Sequence, residues 1–216
     1  MTTRKLPSNA SVATKGLGKR LVAPAASRNA DALCDLLARF APTKGRALEL
    51  ASGTGQHVAA FAQRLPDLKW QPSEIDSERR ASIDAYAQGL ANVSNAVNLN
   101  ATVEGWHAAI GGQDLVVLIN LLHLISWGEV QTLVREAAQA LHPNGCLILY
   151  GPFMRDGQLT SEGDQRFHDA LIQQDAEIGY KNDADMLDLL HNSGLDVVEA
   201  VEMPANNLAF VAKKPA

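Results

Sequence analysis

The sequence is poor in cysteine: 216 residues contain two, Cys34 and Cys146. They form no CxxC pair and fit no zinc-ligand spacing, which excludes a disulfide scaffold and leaves a metal framework without support. A run of the ~20 apolar residues that a membrane-spanning helix requires is missing, as is the apolar stretch of a secretory signal near the start. These absences predict a cytoplasmic protein with no membrane partner. Repeats and low-complexity tracts are lacking too. Acidic residues are absent from residues 1–30, which carry Arg4, Lys5, Lys15, Lys19, Arg20 and Arg28. That leaves 13 basic residues (19 less six) against all 24 acidic ones, so a +6 arm precedes a body of −11.

Hydrophobic residues make up 46% of the chain and charged residues 20%, the balance of a globule that can build a core. At ~150 residues per domain, the length predicts one domain over residues 31–216 behind a basic arm at 1–30. An acidic body repels a phosphate backbone, so a small-molecule partner is expected and a nucleic acid is not; a monomer or homodimer fits this size. The arm has three readings: a tail that folds over a site, a transit peptide, or a solvated leader.

Periodicity places a helix at 31–40, where Leu33, Leu36, Leu37 and Phe40 share a face. A strand at 46–51 is broken by Ser52-Gly53-Thr54-Gly55, and a helix with Val58, Phe61, Ala62 and Leu65 on one side follows. Strands are expected at 68–74, 93–99, 114–120 and 146–150, with helices between them. The run at 114–120 is continuously apolar, as for a strand covered on both faces. The best helix spans 128–141, where Val130, Leu133, Val134, Ala137, Ala138 and Leu141 recur at helical spacing. Two more helices are expected near 162–175 and 183–192. Strands at 196–202 and 208–213 are too close for a parallel crossover and pair as a hairpin. The pattern predicts an α/β fold: a seven-stranded, mostly parallel sheet with a C-terminal antiparallel hairpin and helices on both faces. Its ligand belongs at the carboxyl ends of the strands, where strand order reverses.

Most of the chemistry lies in Glu49-Leu50-Ala51-Ser52-Gly53-Thr54-Gly55-Gln56. Glycines between a strand and a helix let backbone N–H groups approach a ligand closely. A dinucleotide turn wants G-x-G-x-x-G, but Val58 stands where the last glycine belongs. Glu49, just ahead of the turn, suits a cationic ligand and burdens a pyrophosphate. Glu74, 19 residues past Gly55, can accept two ribose hydroxyls in either cofactor class. A tight turn beside a surface acid, with no ligand, is the plain alternative.

Over residues 28–213 the sequence resembles a class I S-adenosylmethionine-dependent methyltransferase, with a Rossmann-like sheet. Glu49 to Gly55 is similar to that family's E/D-x-G-x-G-x-G, with Ala51 in place of the first glycine. Glu74 matches its ribose-binding acid, and Asn100-Ala101 falls where an acidic and a small residue read the adenine edge. More narrowly, the chain is similar to a poorly characterised methyltransferase-like family. The shared strings are Ala26-Ser27-Arg28-Asn29, Ala51 to His57, Trp70 to Asp76, Tyr150-Gly151-Pro152-Phe153 and Met203 to Asn207. The resemblance implies S-adenosylmethionine as cofactor, S-adenosylhomocysteine as product, and no particular reaction.

On that resemblance Glu49, Ala51, Ser52, Gly53, Gly55, Gln56, Glu74, Asn100, Ala101 and Asn120 line the cofactor. Asp76 is read as a helix cap rather than a second ribose ligand. His123, three residues past the fourth strand, either takes a proton from the acceptor or packs in the core. Trp127, Tyr150 and Phe153 follow strand ends and either wall an acceptor pocket or fill the core. Arg28 and Asn29 of the arm, with Asn206 and Asn207 of the hairpin, complete the candidate acceptor contacts; asparagine also suits a hairpin turn for backbone reasons. The expected activity is methyl transfer to a small molecule. A non-catalytic binder of the cofactor or its product is the first alternative, and an NAD-dependent oxidoreductase the second.

Overall fold

A computed structural model describes residues 6–216; Arg4 and Lys5 of the basic arm lie outside them. The chain opens with two short antiparallel strands, β1 (Thr14–Lys15) and β2 (Leu21–Val22), and then helix α1 (Pro24–Phe40). Pro24 starts α1 without cost, because a first-turn N–H has no helical partner. Residues 24–30, assigned to the arm from sequence, therefore belong to this helix, and Ala26 at its start is already buried.

The main sheet is built from β3 (Gly45–Leu50), β4 (Leu68–Pro72), β5 (Gln113–Ile119), β6 (Leu141–Met154), β7 (Lys181–Asn182), β8 (Asp196–Met203) and β9 (Asn207–Lys213). Its order is β4-β3-β5-β6-β9-β8, with β7 paired parallel to the end of β6. The pairs β4·β3, β3·β5 and β5·β6 are parallel, and β9 runs antiparallel to both β6 and β8. Six of the seven expected strands are present, and the sheet reaches seven with an unexpected one. Residues 93–99 form single parallel bridges, Trp70 with Val93 and Ser73 with Val97, rather than a strand. The segment still bonds to β4, Ser94 N–H to Trp70 O and Val97 N–H to Pro72 O, but Ala96 N–H between them donates to Asp84 Oδ1. The seventh strand is β7, which has too little apolar pattern to be read from sequence.

Helices α2 (Gln56–Arg64), α3 (Ser77–Ala87), α4 (Trp106–Ile110), α5 (Trp127–Ala140), α6 (Glu162–Gln174) and α7 (Asp183–Asn192) complete the chain. Alternation along the strands divides the core in two. Leu48, Val116, Leu118, Leu147 and Leu149 face α5 and α7, while Ala47, Leu115, Val117, Cys146 and Ile148 face α1 and α2. Strand β5 is buried on both sides, which explains its continuous apolar run. Helix α5 starts at Trp127, one residue before the expected 128, at a capping box. The Ser126 hydroxyl accepts from Glu129 N–H, and the Glu129 carboxylate accepts from Ser126 N–H. Strand order reverses between β3 and β5, so the crevice lies at their carboxyl ends.

Candidate active site

The turn after β3 is held in left-handed backbone: Ala51 has φ 49°, Gly53 φ 58° and Gly55 φ 92°. At Gly55 the reason is contact as well as φ, since a Cβ there would lie 2.6 Å from the Cα of Ile83 in α3. Ala51 accepts a conformation that costs an ordinary residue about 1–2 kcal/mol. Ser52 helps hold it: its N–H donates to Ser73 O at 2.8 Å, and its hydroxyl donates to Glu49 O and accepts from Ser73 N–H. The Ser52 hydroxyl thus pins β3 to β4. Gln56 is committed as well, accepting from Ala23 N–H and the Thr54 hydroxyl and donating to Ser27.

Two buried carboxylates flank the turn. Glu74 closes it, taking Gly53 N–H at 3.1 Å on one oxygen and Ile75 and Asp76 N–H at 2.8 and 3.2 Å on the other. A carboxylate has about four acceptor positions, so one remains for a ligand. Asp76 is the α3 cap expected from sequence, accepting Arg79 N–H at 2.8 Å. Glu49 is 1% exposed and its Oε2 has no partner. Burial pushes its carboxyl up to about 8, with the nearby Glu74 adding in the same direction.

Around the rim, Asn100 spends its side-chain oxygen on Thr102, accepting its N–H at 3.1 Å and its hydroxyl at 2.8 Å. An adenine amine bonded to that oxygen would share it with a local turn. Ala101 is buried under this turn, where its carbonyl accepts from the Trp106 indole. Asn120 ends β5 with φ 57°, its N–H bonded to Tyr150 O at 2.8 Å.

The other bank of the crevice is aromatic. His123, in the 3-10 turn Leu122–Leu124, is 7% exposed and meets the ring edges of Phe167 and Tyr180. Its Nδ1 has no partner. Burial, with the Lys181 ammonium adding, lowers the imidazole to about 3. Tyr150 is buried, and its hydroxyl accepts from the Asn29 amide at 3.5 Å. Asn29 Oδ1 in turn meets His57 Nε2 at 2.8 Å, and burial holds that imidazole down at about 4. Asn29, His57 and Tyr150 are thus joined across three elements.

The remaining expected acceptor contacts separate. Phe153 is a core residue, 1% exposed and edge-on to Phe210 at 4.9 Å, so it cannot wall an open pocket. Trp127 is half-buried at the start of α5, packed on the same core. Arg28 is exposed on α1 and forms no ion pair among the described residues. Asn206 donates to Asp164 at 3.1 Å, while the Asn207 amide closes its own turn on Pro204 and Ala205 carbonyls. Sequence reasoning missed Asp164, which also accepts from Tyr180, Ser161 and Thr160. It also missed Arg79, whose guanidinium lies against the glycine turn. Neither stands in a spacing pattern that would have exposed it.

The fold is that of class I methyltransferases. An O-methyltransferase family protein from Burkholderia thailandensis superposes with a TM-score of 0.74 at 19% identity, over 89% of this chain and 58% of that one. Human N-acetylserotonin methyltransferase, solved with S-adenosylmethionine, gives 0.74 at 15%, over 89% and 53%. PigF, solved with S-adenosylhomocysteine, gives 0.70 at 16%, over 87% and 56%. The chain thus spans little more than half the length of these neighbours. Residues 20–214 match the model of a family described as a protein of unknown function, DUF938, and the chain belongs to that family.

Proposed function

We propose that the protein is an S-adenosylmethionine-dependent methyltransferase acting on a small-molecule acceptor. The observation that carries this reading is the Glu49 carboxyl, buried beside the glycine turn with one oxygen unpartnered. An unsatisfied buried acceptor costs about 1–3 kcal/mol, and a ligand ammonium relieves it. A pyrophosphate would worsen it, and Val58, at the place of a dinucleotide glycine, is wholly buried in the core. The neighbours solved with S-adenosylmethionine and S-adenosylhomocysteine support the same cofactor.

In this reading Glu49 holds the ammonium of the cofactor and Glu74 takes a ribose hydroxyl at its one remaining acceptor position. Ala51 and Gly53 let the backbone approach, while Asn100, Ala101 and Asn120 border the adenine and the methyl-donor end. The cofactor supplies a sulfonium-activated methyl group. The protein's part is to align the acceptor with it and exclude water. His123, neutral throughout the physiological range, orients an acceptor hydroxyl through its free Nδ1 and is a weak base for its proton. The same weakness favours the second reading, a binder of the cofactor or its product without turnover.

Parallel calorimetric titrations with S-adenosylmethionine, S-adenosylhomocysteine and NAD test the proposal. Binding of the first two and not the third is expected. Binding of NAD alone would overturn it.

A further inference from the structure

Residues 6–23 run across the crevice and are tied to both banks. On the aromatic bank, Leu6 and Ala10 pack on the cluster of Leu124, Leu171, Ile178 and Tyr180. The very next residue, Ser11, is held from the opposite bank: Arg79 Nη2 of α3 donates to its carbonyl at 2.9 Å and to its hydroxyl at 2.8 Å. Farther on, Leu21 N–H donates to Ser82 Oγ, Arg20 lies over the Tyr86 ring, and Ala23 N–H donates to Gln56. The segment is therefore a strap over the strand ends.

The strap's own structure is slight. Strands β1 and β2 have two residues each, and Leu17 at the tip of their hairpin is 87% exposed. A lone hairpin of this size has little stability of its own, so its side-chain ties decide whether it stays down. Ser11 has φ 58°, a conformation that a serine keeps only where its surroundings hold it. The Arg79 bonds supply that hold. The same guanidinium reaches the glycine turn, where its Nη1 would lie 3.7 Å from a Cβ at Gly53 and has no hydrogen-bond partner among the described residues. One edge of Arg79 grips the strap while the other faces the turn bonded to Glu74.

We propose that Arg79 is a positioning residue that latches the 6–23 strap over the bound cofactor, so that cofactor exchange requires the Arg79–Ser11 contact to open. The inference rests on the methyltransferase reading and extends it to entry and release. A latch differs from a plain ligand contact in kinetics. Opening a gate speeds both association and dissociation, whereas losing a ligand contact speeds dissociation alone.

The test is biosensor kinetics of S-adenosylhomocysteine on the full chain. Arg79→Ala is expected to raise both rate constants by about tenfold, the scale of a lost charge-assisted hydrogen bond, and to change the equilibrium affinity much less. Ser11→Pro, which cannot adopt a positive φ, opens the strap from its other end and reproduces the effect. Ser11→Gly keeps both the φ and the backbone acceptor and gives a smaller rise; Arg79→Lys restores part of the slow exchange. In the wild type the ligand slows tryptic cleavage after Lys15, Lys19 and Arg20, and in Arg79→Ala it does not. Faster dissociation with unchanged association in Arg79→Ala, together with wild-type rates in Ser11→Pro, would overturn the latch while leaving the cofactor reading intact. Failure of the wild type to bind S-adenosylhomocysteine would overturn that reading and the latch with it.

Discussion

The two banks of the crevice each bury one titratable group with an unpartnered atom, and burial neutralises both in opposite senses. Glu49 beside the glycine turn rises to about 8, and His123 beneath α6 falls to about 3. Their neighbours differ. Glu49 faces a second acid, Glu74, so an arriving cation relieves both desolvation and like-charge repulsion. His123 has the Lys181 ammonium nearby, which opposes any positive charge on the ring. The first bank is thus set to gain a charge when a cationic ligand binds, and the second to stay neutral. On the proposed reading one bank recognises by charge, while the other offers aromatic edges and a single neutral nitrogen.

The largest expected effect comes from removing the charge on the first bank. Glu49→Gln should lower affinity for S-adenosylhomocysteine by about 10–100-fold, the range for a charge-assisted hydrogen bond. Because Glu49 is protonated in the empty protein at pH 6–7, ammonium binding there should release close to one proton. Titration in buffers of different ionisation enthalpy reads this directly, and Glu49→Gln should abolish it. Glu74→Ala should cost more than tenfold through the lost ribose hydrogen bond, and should also lower stability, since three backbone N–H groups lose their acceptor. Unchanged affinity in folded Glu74→Ala would sink that assignment.

The same comparison predicts opposite slopes of stability with pH. Glu49 has a raised pKa in the folded state, so its contribution is full below about 4.5 and is lost as pH rises through about 8. His123 has a lowered one, so its contribution is full above about 6.5 and is lost as pH falls through about 3. Each slope approaches 1.4 kcal/mol per pH unit at most. Denaturant titrations across pH should show Glu49→Gln removing a fall in stability between about pH 4.5 and 8, and His123→Phe a fall on acidification between about 6.5 and 3. Slopes that both variants leave untouched would mean that neither group is neutralised by burial. His123→Ala should meanwhile leave cofactor affinity within about twofold, because no ionic contact is lost; a large loss would place the ring in the cofactor site.

Legibility in the sequence divides along the same line. The glycine turn, Glu49 and Glu74 were readable because they depend on local backbone demands at the end of a strand, and strand–helix alternation gave the sheet. Residues 93–99 were only partly so: Ser94 and Val97 N–H groups do bond to Trp70 and Pro72 carbonyls along β4, but Ala96 N–H turns to Asp84 and the pairing stops at single bridges. The aromatic bank was only half legible. Phe153 and Tyr150 lie in one short string but on opposite faces of β6, one meeting Phe210 and the other Asn29. Arg79, Asp164 and Tyr180 act through contacts between segments far apart in sequence, for which periodicity gives no sign.

The smallest effect sharpens the aromatic bank. Asn206 has φ 59° at the tip of the β8–β9 hairpin and is exposed, with one amide bond to Asp164. If its role is to shape the turn, Asn206→Gly should fold normally with stability within about 0.5 kcal/mol of wild type, because glycine takes that φ freely and the lost bond is solvent-accessible. Asn206→Ala should be worse by a further ~1 kcal/mol, because alanine adopts the left-handed region reluctantly. Denaturant midpoints of the two variants rank them. Equal losses of stability would mean that the Asp164 bond, which ties the hairpin to α6, matters more than the backbone. Wild-type stability with acceptor binding lost in both would return Asn206 to the acceptor site, as the sequence alone first placed it.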